Sequence, residues 1–250
     1  MTFVPGSFPY LANSVKMMIE EGCEKIACNY AYEPTYTAED ARLLFYEVKK
    51  LADWIIDNHK DVVITMLDNM IGRSNGDDKN FCGGTGNMLA FAPDGKAYPC
   101  IRYAPVSIGQ EKAANICLGD CREGLYKTEH QQAVKASLDA ITMSSQSPGK
   151  CLSCPVASGC GWCSGLNYEL FGTANKRHTG ICLVHKARVL ATCYYYTRRY
   201  LELGDVLPKR INLPLEEAYD LIGNDAVKEL CLLEMNAAMK YLTETGGMTQ

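Results

Sequence analysis

Cys151-Leu-Ser-Cys154-Pro-Val-Ala-Ser-Gly-Cys160-Gly-Trp-Cys163 sets four thiols within thirteen residues, and Cys182 follows nineteen residues later. A Cys-x2-Cys step places two thiolates on one tight turn, where both can reach a single metal centre. Gly159, Gly161 and Gly165 let the backbone pass close to such a centre and leave amide N–H groups for sulfur. The run is short of large aliphatic side chains, so it has few routes to burial without a metal. Zinc and iron–sulfur clusters both take four thiolates, and Cys-x2-Cys serves either. The five-residue spacer and the lack of a second clean knuckle lean towards iron–sulfur, with zinc as the alternative.

The chain carries 13 cysteines in 250 residues, an odd number and a clustered one, which fits a disulfide scaffold poorly. A net charge of −4, spread without long runs, argues against a nucleic-acid or anionic-membrane surface as the main partner, since both need a basic patch. No apolar run approaches the roughly 18–20 residues that span a bilayer. No basic stretch followed by a long apolar core opens the sequence, and the expectation is a soluble, cytoplasmic protein with neither nucleic acid nor membrane as partner.

The elements that must position these thiols follow from periodicity. Leu11, Val15, Met18 and Ile19 recur at helical spacing and stop at Gly22. Residues 25–30 are predicted as a strand with no strand before the opening helix. Thr37-Ala-Glu-Asp40 forms a capping signal, and Ala41, Leu44, Phe45, Val48, Ala52 and Ile55 share one helical face. Residues 62–67 are predicted as a second, buried strand. Helix, strand, helix, strand is the order of a parallel sheet, and two parallel strands cannot cover themselves. The expectation is therefore the tail end of a larger α/β sheet or barrel. The alternative is a small α+β domain that takes the Cys-rich half as its other layer.

After a polar, loop-like boundary at 72–80, residues 88–100 place Pro93-Asp-Gly95 between two apolar stretches, a hairpin signal. Such a hairpin brings Cys82 and Cys100 towards each other at its open end. A helix is expected near 128–142, an irregular segment over 151–182, and helices over 185–203 and near 225–242.

Written out, the cysteines run Cys82-x12-Gly95-x4-Cys100, then Cys151-x2-Cys154-x5-Cys160-x2-Cys163, then Cys182. This resembles the SPASM domain of radical S-adenosylmethionine (radical SAM) enzymes, whose pattern is Cys-x9–15-Gly-x4-Cys, Cys-x2-Cys-x5-Cys-x3-Cys, Cys. Only the last short spacer departs, with two residues instead of three, and the match covers about 100 residues. Phe81-Cys-Gly-Gly-Thr-Gly-Asn-Met-Leu-Ala and Tyr98-Pro-Cys-Ile-Arg-Tyr103 look most like maturases of Cys-repeat ribosomal peptides. Residues 1–70 likewise resemble the final strands and helices of the radical SAM partial barrel.

The resemblance implies an α/β then α+β chain. The C-terminal end of a partial (β/α) barrel would fill 1–75, a SPASM domain with hairpin and Cys-rich segment 76–204, and a helical extension 205–250. It implies two auxiliary [4Fe–4S] clusters, with Cys82, Cys100 and Cys163 on the first and Cys151, Cys154, Cys160 and Cys182 on the second. Cys117 or Cys121 completes the first set, or one iron stays open for a substrate thiolate. The implied function is part of a maturase that installs thioether-type crosslinks in a Cys-containing precursor peptide, with an electron-donor protein as a further partner. The radical SAM motif Cys-x3-Cys-x2-Cys is absent: Cys117-x3-Cys121 is followed three residues on by Gly124. S-adenosylmethionine and a third cluster are thus expected only with an N-terminal radical SAM segment, in cis or in trans. Two other readings are a stand-alone two-cluster electron carrier and a zinc-stapled module that binds peptide.

The remaining candidates have plainer readings. Cys23, Cys28, Cys193 and Cys231 fall in apolar-periodic segments and read as core thiols. Of Tyr194-Tyr195-Tyr196, one is expected to be buried and two exposed. Glu33 and Asp68 follow strands, where barrel sites lie, but each suits a surface carboxylate equally. Arg102 fits a structural salt bridge, and His178 or His185 could reach a metal beside Cys182.

Overall fold

The computed structural model describes residues 1–67, 78, 82–157 and 159–245. Its N-terminal part is built on four two-residue strands, β1 (Thr2–Phe3), β2 (Lys25–Ile26), β3 (Asn29–Tyr30) and β4 (Val63–Ile64). β1 pairs with β3 and β2 with β4, both in parallel. A strand therefore does precede the first helix, contrary to the sequence reading; two residues are too few to show a period. Residues 25–30 are also not one strand. The Thr65 hydroxyl accepts from the Cys28 N–H at 2.8 Å and donates to the Cys28 carbonyl at 2.7 Å. A side chain thus takes the groups a neighbouring strand would use, which parts β2 from β3 and turns 65–67 into a 3-10 turn instead of more strand.

α1 (Leu11–Glu20) buries Leu11, Val15 and Ile19. It closes at Gly22, whose φ of +93° allows the Cys23 N–H to reach back to Met18 O at 3.0 Å. α2 (Ala38–Asp57) opens with a full capping box: Thr37 Oγ1 accepts from Asp40 N–H, and Asp40 Oδ2 accepts from Thr37 N–H. The face named from the sequence is buried along its length, and Leu51 and Ile56, which it did not name, are buried with it.

The middle of the chain forms a four-stranded antiparallel sheet, β5 (Ala90–Phe91), β6 (Lys96–Tyr98), β7 (Gly119–Asp120) and β8 (Gly124–Leu125), in that order. At the β5–β6 apex the Gly95 N–H bonds Ala92 O at 2.9 Å, and Gly95 has φ +89°, the conformation that favours glycine. Short helices α3 (Pro105–Ile108) and α4 (Gln110–Ala114) connect β6 to β7. α5 (Glu129–Asp139) lays Val134 and Leu138 on a core with Tyr98, Tyr103 and Leu118. One-turn α6 (Met143–Gln146) and α7 (Gly149–Leu152) follow, and the stretch expected to be irregular over 151–182 holds the end of α7 and all of α8 (Ser164–Phe171). α8 lacks a Ser, Thr, Asp or Asn cap, because Cys163 fills that position.

α9 (Cys182–Glu202), α10 (Leu215–Ile222) and α11 (Asn224–Glu244) end the described chain. α9 packs along α2, where Arg198 pairs with Asp53 and Asp57 and the Tyr194 hydroxyl donates to Asp53 at 2.6 Å. α10 packs on α2 as well, and α11 on α9. Because α9 is covered on several sides, Tyr194 and Tyr195 are both buried and Tyr196 half-buried, two enclosed rings where one was expected. Arg188 is buried too, with Nε donating to Met66 O at 3.1 Å and Nη2 to Thr65 O.

The result is a helix-rich mixed α/β chain that clusters into two compact units. One comprises Met1–Ser74, Pro155–Cys160 and Gly180–Gln250; the other comprises Asn75–Cys154 and Gly161–Thr179. The sequence ranges 1–75, 76–204 and 205–250 are drawn on motif, these on contact. Among the described residues no helix is long and apolar enough to cross a membrane.

Replacing Thr37 by Ala removes the cap of α2 and is expected to cost about 1 kcal/mol of stability, read as a lower urea midpoint with unchanged slope.

Candidate metal centre

Three local structures position the thiols of this region, with Cys82 and Cys100 meeting at one spot and Cys163 within electrostatic reach of both. Cys82 starts a tight turn in which the Thr85 N–H and hydroxyl both donate to its carbonyl, at 3.0 and 2.7 Å. Cys100 leaves β6 and opens the 3-10 turn at 101–103, where the Tyr103 N–H bonds its carbonyl at 3.0 Å. Cys163 caps α8, and its Sγ accepts the Leu166 N–H at 3.4 Å. Gly84 marks the meeting point. A Cβ there would lie 2.8 Å from Ser164 Oγ, 3.2 Å from Cys100 Sγ and 3.5 Å from Cys82 Sγ. Ser164 Oγ in turn stands 3.3 Å from Cys82 Sγ.

Burial pushes the Cys100 and Cys163 thiols above their ordinary pKa. Backbone N–H groups of Arg102 and Tyr103 pull Cys100 back, and those of Leu166 and Gly165 pull Cys163 back. The charges of Cys82 and Cys163 raise Cys100 further, and that of Cys82 raises Cys163, so the three groups feel one another. Close by lies Tyr103, 0% exposed, whose hydroxyl makes no hydrogen bond of normal geometry among the described residues, though the Ser164 hydroxyl stands near enough to act on it. Buried polar atoms are nearly always paired, so a buried hydroxyl without a well-formed hydrogen bond, within electrostatic reach of three thiols, calls for an acceptor. A glycine cradle, soft anionic donors and an unanswered hydroxyl together fit a group held through sulfur. Among the described residues, no three His, Cys, Asp or Glu side chains are already disposed to hold a single ion.

The other predicted ligands divide between the two units. Cys151 ends up in α7, with the Cys154 N–H on its carbonyl at 3.3 Å, in the second unit. Cys160 and Cys182 belong to the first, where Cys160 bonds back to Ala157 O at 3.1 Å and Cys182 opens α9. Cys160 lies close enough to buried Tyr30 to raise its pKa, after the larger effect of burial. Cys117 donates to Gly119 O at 3.4 Å and packs on the core of the second unit. Cys121 is exposed beside the hairpin apex, its N–H on Gly95 O at 2.8 Å. The apex is five residues of extended chain from Cys100, roughly 3.3 Å each, so Cys121 stands at the wrong end of the hairpin to join Cys82 and Cys100.

Arg102 makes a 2.7 Å ion pair with Glu169, and its stem packs where a Gly165 side chain would go. The His178 N–H donates to Asn167 Oδ1, and the buried His185 ring donates through Nε2 to Val156 O at 2.6 Å, which engages that nitrogen. Cys28 and Cys193 are buried, while Cys23 and Cys231 are only half so. Glu33 is exposed, and Asp68 and Phe81 lie outside the described residues. Gly84, Tyr103 and Ser164 were missed from the sequence. Their only signal is adjacency, since Ser164 follows Cys163, Tyr103 is three residues past Cys100, and Gly84 is two past Cys82.

No protein-family model matches this chain, and no curated protein does. Among solved structures, one of histidine-tagged anSMEcpe with bound AdoMet is similar over 88% of this chain and 56% of its own, at a TM-score of 0.49 and 14% identity. The chain thus spans little more than half the length of that protein.

Two outcomes follow for the metal-free chain. Gly84→Ala overpacks the thiol cluster and is expected to cost about 1–3 kcal/mol in urea unfolding. Gly83→Ala, which meets only Met88 at 3.4 Å or more, is tolerated. Because the folded state holds its Cys100 and Cys163 protons more tightly than the unfolded chain, stability falls as pH rises above the unfolded thiol value of about 8.5. A series of urea midpoints against pH reads this, and substitution of both thiols by Ala flattens it.

Proposed function

We propose that this chain is the auxiliary-cluster portion of a radical SAM enzyme that modifies a Cys-containing precursor peptide, with thioether-type crosslinking as the reaction class. Cys82, Cys100 and Cys163 hold one [4Fe–4S] cluster, and Cys151, Cys154, Cys160 and Cys182 a second. The observation that carries this reading is the meeting of Cys82 and Cys100 at Gly84, with Cys163 within electrostatic reach of both and the buried Tyr103 hydroxyl close by. The seven-cysteine spacing supplies the rest.

When bound, such clusters supply one-electron transfer and an iron that can take a thiolate. The chain's own residues do the remaining work. The backbone N–H groups of Leu166 and Gly165 stabilise charge on Cys163, and those of Arg102 and Tyr103 do so on Cys100. Buried Tyr98 and Tyr103, with half-buried Tyr168, belong to the core against which Cys100 packs and so limit water on that side of its sulfur. Cys117 donates to Gly119 O and Cys121 stands at the hairpin apex, so on this reading three protein thiolates leave a fourth position for the cysteine of a substrate peptide. The sequence carries no Cys-x3-Cys-x2-Cys, so on this reading S-adenosylmethionine and the radical-generating cluster come with a radical SAM segment in cis or in trans. An electron-donor protein completes the set of partners.

Anaerobic reconstitution with iron and sulfide is the test. About eight irons per chain are expected, falling to about four in Cys100→Ser or Cys163→Ser, with loss of the matching charge-transfer absorption. A colourless chain that carries zinc, or one that retains a single cluster, overturns the proposal.

A further inference from the structure

Tyr103 is anchored at both ends of its ring. Its backbone follows the 3-10 turn from Cys100, and its ring lies 5.7 Å from that of Tyr168 within the core of its unit. The hydroxyl therefore cannot swing out to water, and no acceptor among the described residues meets it. The Ser164 hydroxyl acts on it, and Cys100, Cys82 and Cys163 lie within electrostatic reach of it. Ser164 is held as firmly, 1% exposed in the first turn of α8, with its Oγ at 3.3 Å from Cys82 Sγ. A cysteine that binds iron has given up its proton, so in any Ser164–Cys82 hydrogen bond the hydroxyl must then be the donor.

We infer that the Tyr103 and Ser164 hydroxyls donate hydrogen bonds to the sulfur of the first cluster and raise its reduction potential above that of the same cluster without them. The inference rests on Cys82, Cys100 and Cys163 being iron ligands. Its physics is direct: an added electron spreads negative charge onto the sulfurs, and a fixed donor stabilises that charge more in the reduced state than in the oxidised one. Both residues are positioning residues, since they act through the ligands. Burial also keeps Tyr103 protonated, which suits a donor.

The test is a spectroelectrochemical titration, followed by electron paramagnetic resonance, of the full reconstituted chain and its Tyr103→Phe, Ser164→Ala and double variants. Each single variant is expected to shift one midpoint to more negative potential and leave the other in place, the double variant to shift it further, with iron content unchanged. Ser164→Thr keeps a hydroxyl and is expected to return the midpoint towards wild type. Full iron content with both midpoints unmoved overturns the inference while leaving the cluster reading intact. If Tyr103→Phe fails to hold its cluster, Ser164→Ala decides alone, and an unmoved midpoint there overturns it. A wild-type chain that takes up no iron and sulfide overturns the cluster reading and this inference with it.

Discussion

Placing thiols where water reaches them poorly is a chemical commitment. Cys100 and Cys163 are shielded enough that their neutral forms are favoured, yet backbone N–H groups point at both as though a charge were to be held there. The two tendencies oppose each other in bare thiols and agree once a cationic centre sits among the sulfurs. Much of the second unit is arranged around that balance. The hairpin returns the chain to Cys100, the 3-10 turn seats Tyr103 below it, and α8 starts at the residue whose sulfur its first turn must bond.

Close approach is the other half of this constraint. Gly84 and Gly165 are both places where a side chain would collide, the first with Ser164 and Cys100, the second with the stem of Arg102. The Arg102–Glu169 pair holds that stem against α8. Packing and ion pairing therefore fix the approach of the Cys100 turn to the Cys163 helix, within a core whose large members are tyrosines, isoleucines and leucines.

Local chemistry made the large elements readable in the sequence. Thr37 and Asp40 announce α2, its apolar face repeats for about four turns, and Pro93-Asp-Gly95 fixes the hairpin. Where distant residues decide, the sequence misleads. The strand expected at 25–30 breaks because a threonine hydroxyl 37 residues away engages both backbone groups of Cys28. β1 is too short for any period. α8 hides because a cysteine does a capping job usually done by oxygen, though Gly172, with φ +71° at its end, was a usable stop signal. α10 offered Glu216 and Glu217 in its first turn and Gly223 after its last, and could have been read. In the site, the spacing of cysteines pointed to sulfur chemistry, but Ser164 and Tyr103 matter only through their distance to thiols far along the chain.

Arg188 links the two ends of the first unit: its guanidinium holds the carbonyls of Thr65 and Met66, more than 120 residues earlier. During synthesis at about 5–20 residues per second, those carbonyls wait roughly 6–24 s for their partner. The inserted unit, Asn75–Cys154 with Gly161–Thr179, is by then already made. The nascent parallel strands therefore lack this clamp through that interval, and α9 is the helix that supplies it.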